Sequence, residues 1–271
     1  MRPSGTYIIP AIHPASFFRN QTLAFTGIED WKKAVRVQRE GATLIHPPIE
    51  RWQWEPKLCD VTRYFDTMYD DGLMPGALAD PGPWSFDFEA TLQRQVVCLA
   101  LWSCDDPTQH KGICIPFLCQ GGKRYWAPAD ELKVMSLLND FFTDPIRGKV
   151  GHNIVGYDAG YPPFNKEQLI KLSWGINVQG IIGDTFVAHH TCFSELRHKL
   201  AVLASIGTDL GPYKLELWEN DDDDDDDDDD KDANNFAYIL ERPDVKTRTY
   251  CLKDAFVPAL VWSQLAQEMA P

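Results

Sequence analysis

From Trp84 the chain alternates strictly: Trp84, Phe86 and Phe88 fall on one side of an extended strand, and Ser85, Asp87 and Glu89 on the other. Two apolar runs follow, about Val96–Trp102 and Gly112–Leu118, and both read as strands. Gly121-Gly122 then makes a hairpin-like turn into Arg124-Tyr125-Trp126. Leu132, Met135, Leu138 and Phe141 or Phe142 recur at helical spacing and predict a helix over Asp130–Phe142, with Asp130 as its N-cap. A short strand ends at Val150-Gly151. Helices are expected over Lys166–Leu172, Asp184–Cys192, Glu195–Ile206 and Lys246–Met269. A three-strand meander followed by alternating helix and strand is the pattern of an α/β domain, a mixed sheet with helices packed on it.

Upstream of Trp84 the pattern is weaker. Residues 1–40 carry two short apolar segments, Tyr7–Ile12 and Trp31–Val37. Residues 41–83 form a lead-in: a short strand at Ala42–His46, then Pro47-Pro48, a helix from about Pro56 to Tyr69, and a turn-rich stretch ending at Pro83. No internal repeat is evident.

Composition changes little in this picture. The 271 residues are 44% apolar and 24% charged, an ordinary globular balance with enough chain for a sizeable core. The net charge is −14, and the Asp221–Asp230 run supplies ten of those negative charges, so the remainder stands at −4. A run of that kind repels itself, and residues 219–233 are expected to form a disordered acidic loop. The balance argues against nucleic-acid binding through a broad basic surface but not against an enzyme that meets phosphate through metal ions. No apolar run reaches bilayer length and no secretory signal is visible, so a cytoplasmic protein without membrane attachment is expected. The seven cysteines include no Cys-x-x-Cys pair, and free, mostly buried thiols are expected. His189, His190 and Cys192 lie close together but lack a second pair at zinc spacing.

Three motifs carry candidate chemistry. In Phe86-Asp87-Phe88-Glu89-Ala90-Thr91, Asp87 and Glu89 point the same way about 6–7 Å apart along the strand. In Gly151-His152-Asn153-Ile154-Val155-Gly156-Tyr157-Asp158, a strand end turns toward Asp158 near the start of a helical region. In Tyr250-Cys251-Leu252-Lys253-Asp254-Ala255, Tyr250 and Asp254 stack one helical turn apart. Each has a bland reading alone: a solvated sheet face, a helix-start Asp, an exposed polar pair. Four carboxylates drawn together would repel one another, and oxygen-rich sets of this kind favour magnesium or manganese over zinc.

In this order the three motifs resemble those of the DEDD exonuclease superfamily. The tyrosine variant fits best, as in proofreading domains of bacterial-type DNA polymerases and phage exonucleases. The resemblance covers roughly residues 42–271 and takes in Gly183-Asp184-Thr185 and Lys199–Ile206. It implies a ribonuclease H-like, five-stranded mixed sheet flanked by helices. It also implies 3′→5′ hydrolysis of DNA from a single-stranded or frayed end, in replication or repair, in a bacterial or phage-infected cell. Two divalent cations, Mg2+ or Mn2+, would sit between Asp87, Glu89, Asp158 and Asp254. Asp87 would bridge both, Glu89 and Asp254 would complete the site of the water-activating ion, and Asp158 would support the second. Tyr250 would align the attacking water. Asn153 is expected to shape the turn, and Asp184 to cap a helix or support the site from behind. Phe88 and Tyr157 are core residues or stack on a terminal base. Pro258 is expected to kink the last helix near Asp254.

Residues 1–41, with Gly5–Asn20 at their heart, resemble the C-terminal end of a uracil-DNA glycosylase, with His13 at the uracil-contacting position. The rest of such a domain is absent from the sequence, so this piece is expected to be a remnant or a split half, with the missing part, or a DNA polymerase, as a possible partner. Two other functions share the motifs: an RNA 3′-trimming exonuclease of the same superfamily, and a non-catalytic nucleic-acid-binding module.

Overall fold

The structure is a computed structural model that describes residues 13–15, 22–41, 51–70, 82–105, 107, 111–159, 169–208 and 239–270. The expected strand at 42–46, the segment 7–12, the turn-rich residues 71–81, the start of the 166–172 helix and the acidic loop at 219–233 lie outside them. So does most of Gly5–Asn20, the heart of the glycosylase-like piece. Of its motif only His13 to Ala15 is described, with the Ala15 amide donating to His13 Nδ1.

In chain order the elements are α1 (Thr22–Glu40), β1 (Trp52–Gln53), α2 (Leu58–Asp70), β2 (Trp84–Ala90), β3 (Val96–Ser103) and β4 (Gly112–Pro116). Then come α3 (Pro128–Thr143), β5 (Lys149–Gly151), α4 (Leu169–Trp174), β6 (Ile181–Asp184), α5 (Thr185–Cys192), α6 (Leu200–Gly207) and α7 (Asp244–Glu268). The strands form one sheet in the order β1-β4-β3-β2-β5-β6. The β2–β3 and β3–β4 pairs are antiparallel, whereas β5 and β6 run parallel to β2. This is the five-stranded mixed sheet of a ribonuclease H-like fold, with the two-residue β1 added in parallel beside β4. No helix of the described residues is long and apolar enough to cross a membrane.

Strand alternation sorts the core into two layers. Trp84, Phe86 and Phe88 of β2, with Leu99 and Leu101 of β3, face α2 and α3 and meet Phe65, Phe141 and Phe142. Cys98, Ala100 and Trp102 of β3, with Cys114 of β4, face the opposite way and meet Leu252, Ala255 and Phe256 of α7. Because β3 is covered on both faces, it reads in sequence as an unbroken apolar run. Every residue of α7 from Cys251 to Ala259 is buried, since the helix lies between the sheet and α5 and α6. A side chain such as Phe256, fully hidden there, contributes about 1.5–3 kcal/mol.

The polar face of β2 is therefore not solvated, because α7 covers it. Arg248 anchors the start of α7. Its guanidinium donates to Glu55 at 3.2 Å and to Asp244 at 3.1 Å, and it stacks 5.1 Å from the Tyr125 ring centre. On the other side of the sheet's centre, Lys149 of β5 donates to the Asp144 carbonyl and lies 5.0 Å over the Phe141 ring. Burial lowers its pKa to about 8.

Several local expectations need correcting. Ala127, not Asp130, is the N-cap of α3. Pro128 starts the helix, which leaves Asp130 inside the first turn. Leu132 is 73% exposed, and Val134 takes the core position in its stead. The helix expected from Glu195 begins only at Leu200, with Lys199 as its N-cap. Pro258, by contrast, lies inside α7 as expected, and the helix continues past it to Glu268.

Gly151 ends β5 where the chain must pass tight against its neighbour. A Cβ there would stand 2.9 Å from the Phe86 carbonyl oxygen and 2.3 Å from Ile154 Cγ2. The Phe86 oxygen is backbone and cannot swing aside. Gly151→Ala is expected to cost about 1–3 kcal/mol, read as a lower midpoint in urea denaturation. An unchanged midpoint would show that β5 can shift freely against β2.

Candidate functional site

The acidic site is built where β2, the turn after β5 and α7 meet. Alternation along β2 aims Asp87 and Glu89 at α7. Donor oxygens of both, together with the Cys251 sulfur, all lie within 4.8 Å of one another. Cys251 is also a tether, because its thiol donates to the Asp87 carbonyl at 3.3 Å and so fixes α7 against β2. One helical turn separates Asp254 from the half-buried Tyr250. Glu89, Asp158 and Asp254 are 7%, 4% and 8% exposed.

Asp158 and Asp254 stand outside the 4.8 Å group, yet their charges reach it. Asp87 is pushed well above the ordinary carboxylate range, first by burial and then by the charges of Asp254, Glu89 and Asp158. Asp158 is raised as well, by burial and by Asp184. The structure thus brings all four expected carboxylates into one shared field. Asp158 Oδ1 is buried and makes no hydrogen bond. A buried carboxylate oxygen in that state is costly unless a cation or water meets it.

Asp158 does not open a helix. It closes a hydrogen-bonded turn in which Gly156 and Tyr157 donate back to the Asn153 carbonyl and Ala159 to that of Ile154. Asn153 makes this turn possible by adopting φ +57°, a left-handed conformation that asparagine tolerates better than most residues. Asp184 holds the turn from below. Its Oδ1 accepts from the amides of Asn153 at 2.8 Å and Phe186 at 2.9 Å, and its Oδ2 accepts from Val155 at 3.0 Å. It is therefore both the N-cap of α5 and the clamp that positions the Asp158 turn. Phe88 is 5% exposed and sits among Phe86, Phe142 and Trp174, so it is a core residue and not a stacking platform. Tyr157 is half-buried beside that core.

The sequence reading missed the sulfur. Cys98, Cys114 and Cys251 have their Sγ atoms within 4.8 Å of one another, and all three are fully buried. Burial pushes Cys98 and Cys251 well up, whereas Cys114 is brought down to about 6 against its own burial by the neighbouring Cys251 and Cys98 and by Arg248. Residue type and chain spacing gave no hint of this, because the three come from β3, β4 and α7. The trace lay in strand register: once β3 and β4 pair, Cys98 and Cys114 must share a face. His189 and His190 do not join Cys192. Their Nδ1 atoms each contact His198 at 2.8 Å, and burial, with the other two imidazoles, lowers His189 to about 4.

The carboxylates suit a hard divalent cation, since they offer several oxygens and the orphaned Asp158 Oδ1 among them. The sulfur at the edge of the Asp87–Glu89 group is a donor that such a cation does not favour.

No family model matches the chain, and no curated protein matches it. Among solved structures, the chain is similar to the POL domain of Pol1 from M. smegmatis in complex with DNA primer-template and dNTP. That likeness has a TM-score of 0.41 and 14% identity, over 80% of this chain and 27% of that one. It is also similar to a structure described as the apo form of a nuclease, with a TM-score of 0.42 and 17% identity, over 80% of each chain. Both likenesses are distant.

Proposed function

We propose that the chain is a metal-dependent 3′→5′ exonuclease that hydrolyses DNA phosphodiester bonds. The observation that carries this reading is the convergence of the half-buried Asp87 with the buried Glu89, Asp158 and Asp254 in one field, with Tyr250 one turn from Asp254. That convergence agrees with the DEDD-type motifs in the sequence. Two divalent cations, when bound, supply an activated water and neutralise charge on the phosphate and the leaving oxygen.

The chain's residues then divide the work. Asp87, which feels the charges of the other three carboxylates, would hold both cations. Glu89 and Asp254 would hold the water-activating cation, and Asp158 would support the other through its buried oxygen. Tyr250 would hold the attacking water in line with phosphorus through its hydroxyl. Asn153 and Asp184 touch no substrate in this reading; they position Asp158. The cations are Mg2+ or Mn2+, and the substrate is a single-stranded or frayed 3′ end. The reading needs neither a polymerase nor a glycosylase partner.

The decisive assay uses a 3′-labelled oligodeoxynucleotide with Mg2+ or Mn2+. Release of nucleoside monophosphate from the 3′ end is expected, lowered about 10²-fold or more by Asp87→Ala or Asp254→Ala. Digestion from the 5′ end alone, or of circular DNA alone, would overturn the proposal. An RNA of the same sequence tests the trimming alternative, which faster RNA digestion would favour. Tyr250→Phe keeps the ring and removes only the hydroxyl. It is expected to reduce kcat about 10²-fold and to leave Mn2+ affinity by calorimetry unchanged; a fall in affinity with kcat intact would reverse the role given to Tyr250.

The raised carboxylates have a stability consequence whose sign is fixed. Asp87 and Asp158 are pushed above the ordinary value of 3.8, so their contribution to folding is fully present below that pH. It is lost as pH rises through their higher folded-state values. At neutral pH without metal, the cluster therefore destabilises the fold. Asp87→Asn is expected to raise Tm in EDTA, by about 2–4 °C for each kcal/mol of repulsion relieved in a chain of this size. The same variant is expected to lose most of the Tm gain that Mn2+ gives the wild type. Thermal melts at pH 7.5 with and without Mn2+ check both, and a Tm in EDTA below wild type would show that the carboxylates do not repel.

A further inference from the structure

Cys98, Cys114 and Cys251 are left without a role by the exonuclease reading. They come from three separate elements, β3, β4 and α7. Cys98 opposes Pro116 and Ala100 opposes Cys114, so Cys98 and Cys114 are diagonal neighbours on one face of the antiparallel pair. Cys251 descends from α7 onto that same face and completes a triangle of sulfur atoms, each within 4.8 Å of the other two. None is in a disulfide. All three are fully buried, and no solvent competes at the centre of the triangle.

We propose that Cys98, Cys114 and Cys251 form a closed three-sulfur site for one thiophilic cation of the zinc class, sealed between the sheet and α7. The size fits. A zinc–sulfur bond of about 2.3 Å places two coordinating sulfurs about 3.8–4.0 Å apart, inside the 4.8 Å that bounds the triangle. The donor set is soft, unlike the oxygen set beside it. Coordination replaces each S–H bond, including the one that Cys251 gives to the Asp87 carbonyl, by a sulfur–metal bond that takes over its tethering, and releases the proton to water. The buried Arg248 guanidinium on the same helix acts favourably on negative charge at Cys98 and Cys114. The cation pins β3 and β4 to α7, the helix that carries Tyr250 and Asp254. Because the site is closed, it loads as the chain folds.

Cys251 also borders Asp87 and Glu89, so a sulfur–metal signal alone does not locate the cation. The test is to produce the full chain in cobalt(II)-supplemented minimal medium and to dialyse it, reduced, against EDTA. About one EDTA-resistant cobalt per chain is expected, with an intense near-ultraviolet sulfur-to-cobalt charge-transfer band. Cys98→Ser and Cys114→Ser should each abolish the band, whereas Cys119→Ser and Cys192→Ser should retain it. Absence of the band in the wild type overturns the proposal. So does a band that survives Cys98→Ser and Cys114→Ser but not Cys251→Ser, because its sulfur then belongs to the carboxylate group. If the serine variants fail to fold, X-ray absorption on the cobalt-loaded wild type decides: three sulfur neighbours support the site, and one or none overturns it.

Discussion

The structure depends on how α7 crosses the polar face of β2. A strand with Trp84, Phe86 and Phe88 on one side and Ser85, Asp87 and Glu89 on the other would normally offer its polar side to water. Here that side is roofed by a helix buried from Cys251 to Ala259. The roof is apolar where it meets Trp102 and Cys114 and acidic where it meets Asp87. Apolar burial along the rest of α7 holds the carboxylates together against their repulsion. The Arg248 anchor at one end and the Cys251 thiol bonded to the Asp87 carbonyl keep the helix from sliding away from the charge.

That arrangement explains which parts of the molecule could be read from sequence. The facing of Asp87 and Glu89 follows from the two-residue period of a strand, which no tertiary contact can alter without a register slip. The meander, the short strand ending at Gly151 and the helical last segment follow from periodicity and turn residues, whereas the parallel direction of β5 comes only from its pairing. The Asp184 cap was visible because a polar residue stood ahead of a helical run. Its second function was not: a clamp on the Asn153 and Val155 amides depends on β5 and β6 lying side by side, and chain order does not reveal that.

The misses have a common cause. Asp130 looked like an N-cap because it is a good capping residue. Proline at 128 started the helix earlier, and capping preference gave way to proline's fixed φ. Leu132 looked like core because it sat in a helical repeat with Met135 and Leu138. The helix instead presents Val134, Leu138, Phe141 and Phe142 to the sheet, a face rotated from the expected one. Local preference sets the element type in both cases, and packing sets its edges and its rotation. The three buried thiols are the extreme case, since their proximity is wholly a product of pairing and docking.

The polar layer under α7 thus holds two kinds of donor back to back, carboxylate oxygens toward Asp158 and sulfurs toward β4. Cys251 belongs to both groups. Its neighbours in sequence divide along the same line, with Asp254 acting on Asp87 and Leu252, Ala255 and Phe256 in the apolar layer. A substitution at Cys251 is therefore not a neutral probe of either side. It removes a sulfur from one cluster, a wall from the other and the thiol bond to the Asp87 carbonyl, which ties the strand to the helix. Effects seen at Cys251 alone have three possible origins. Cys98 and Cys114 lie outside the group that Cys251 forms with Asp87 and Glu89, although Cys98 stands opposite Glu89 across the strands, and substitutions there separate these origins.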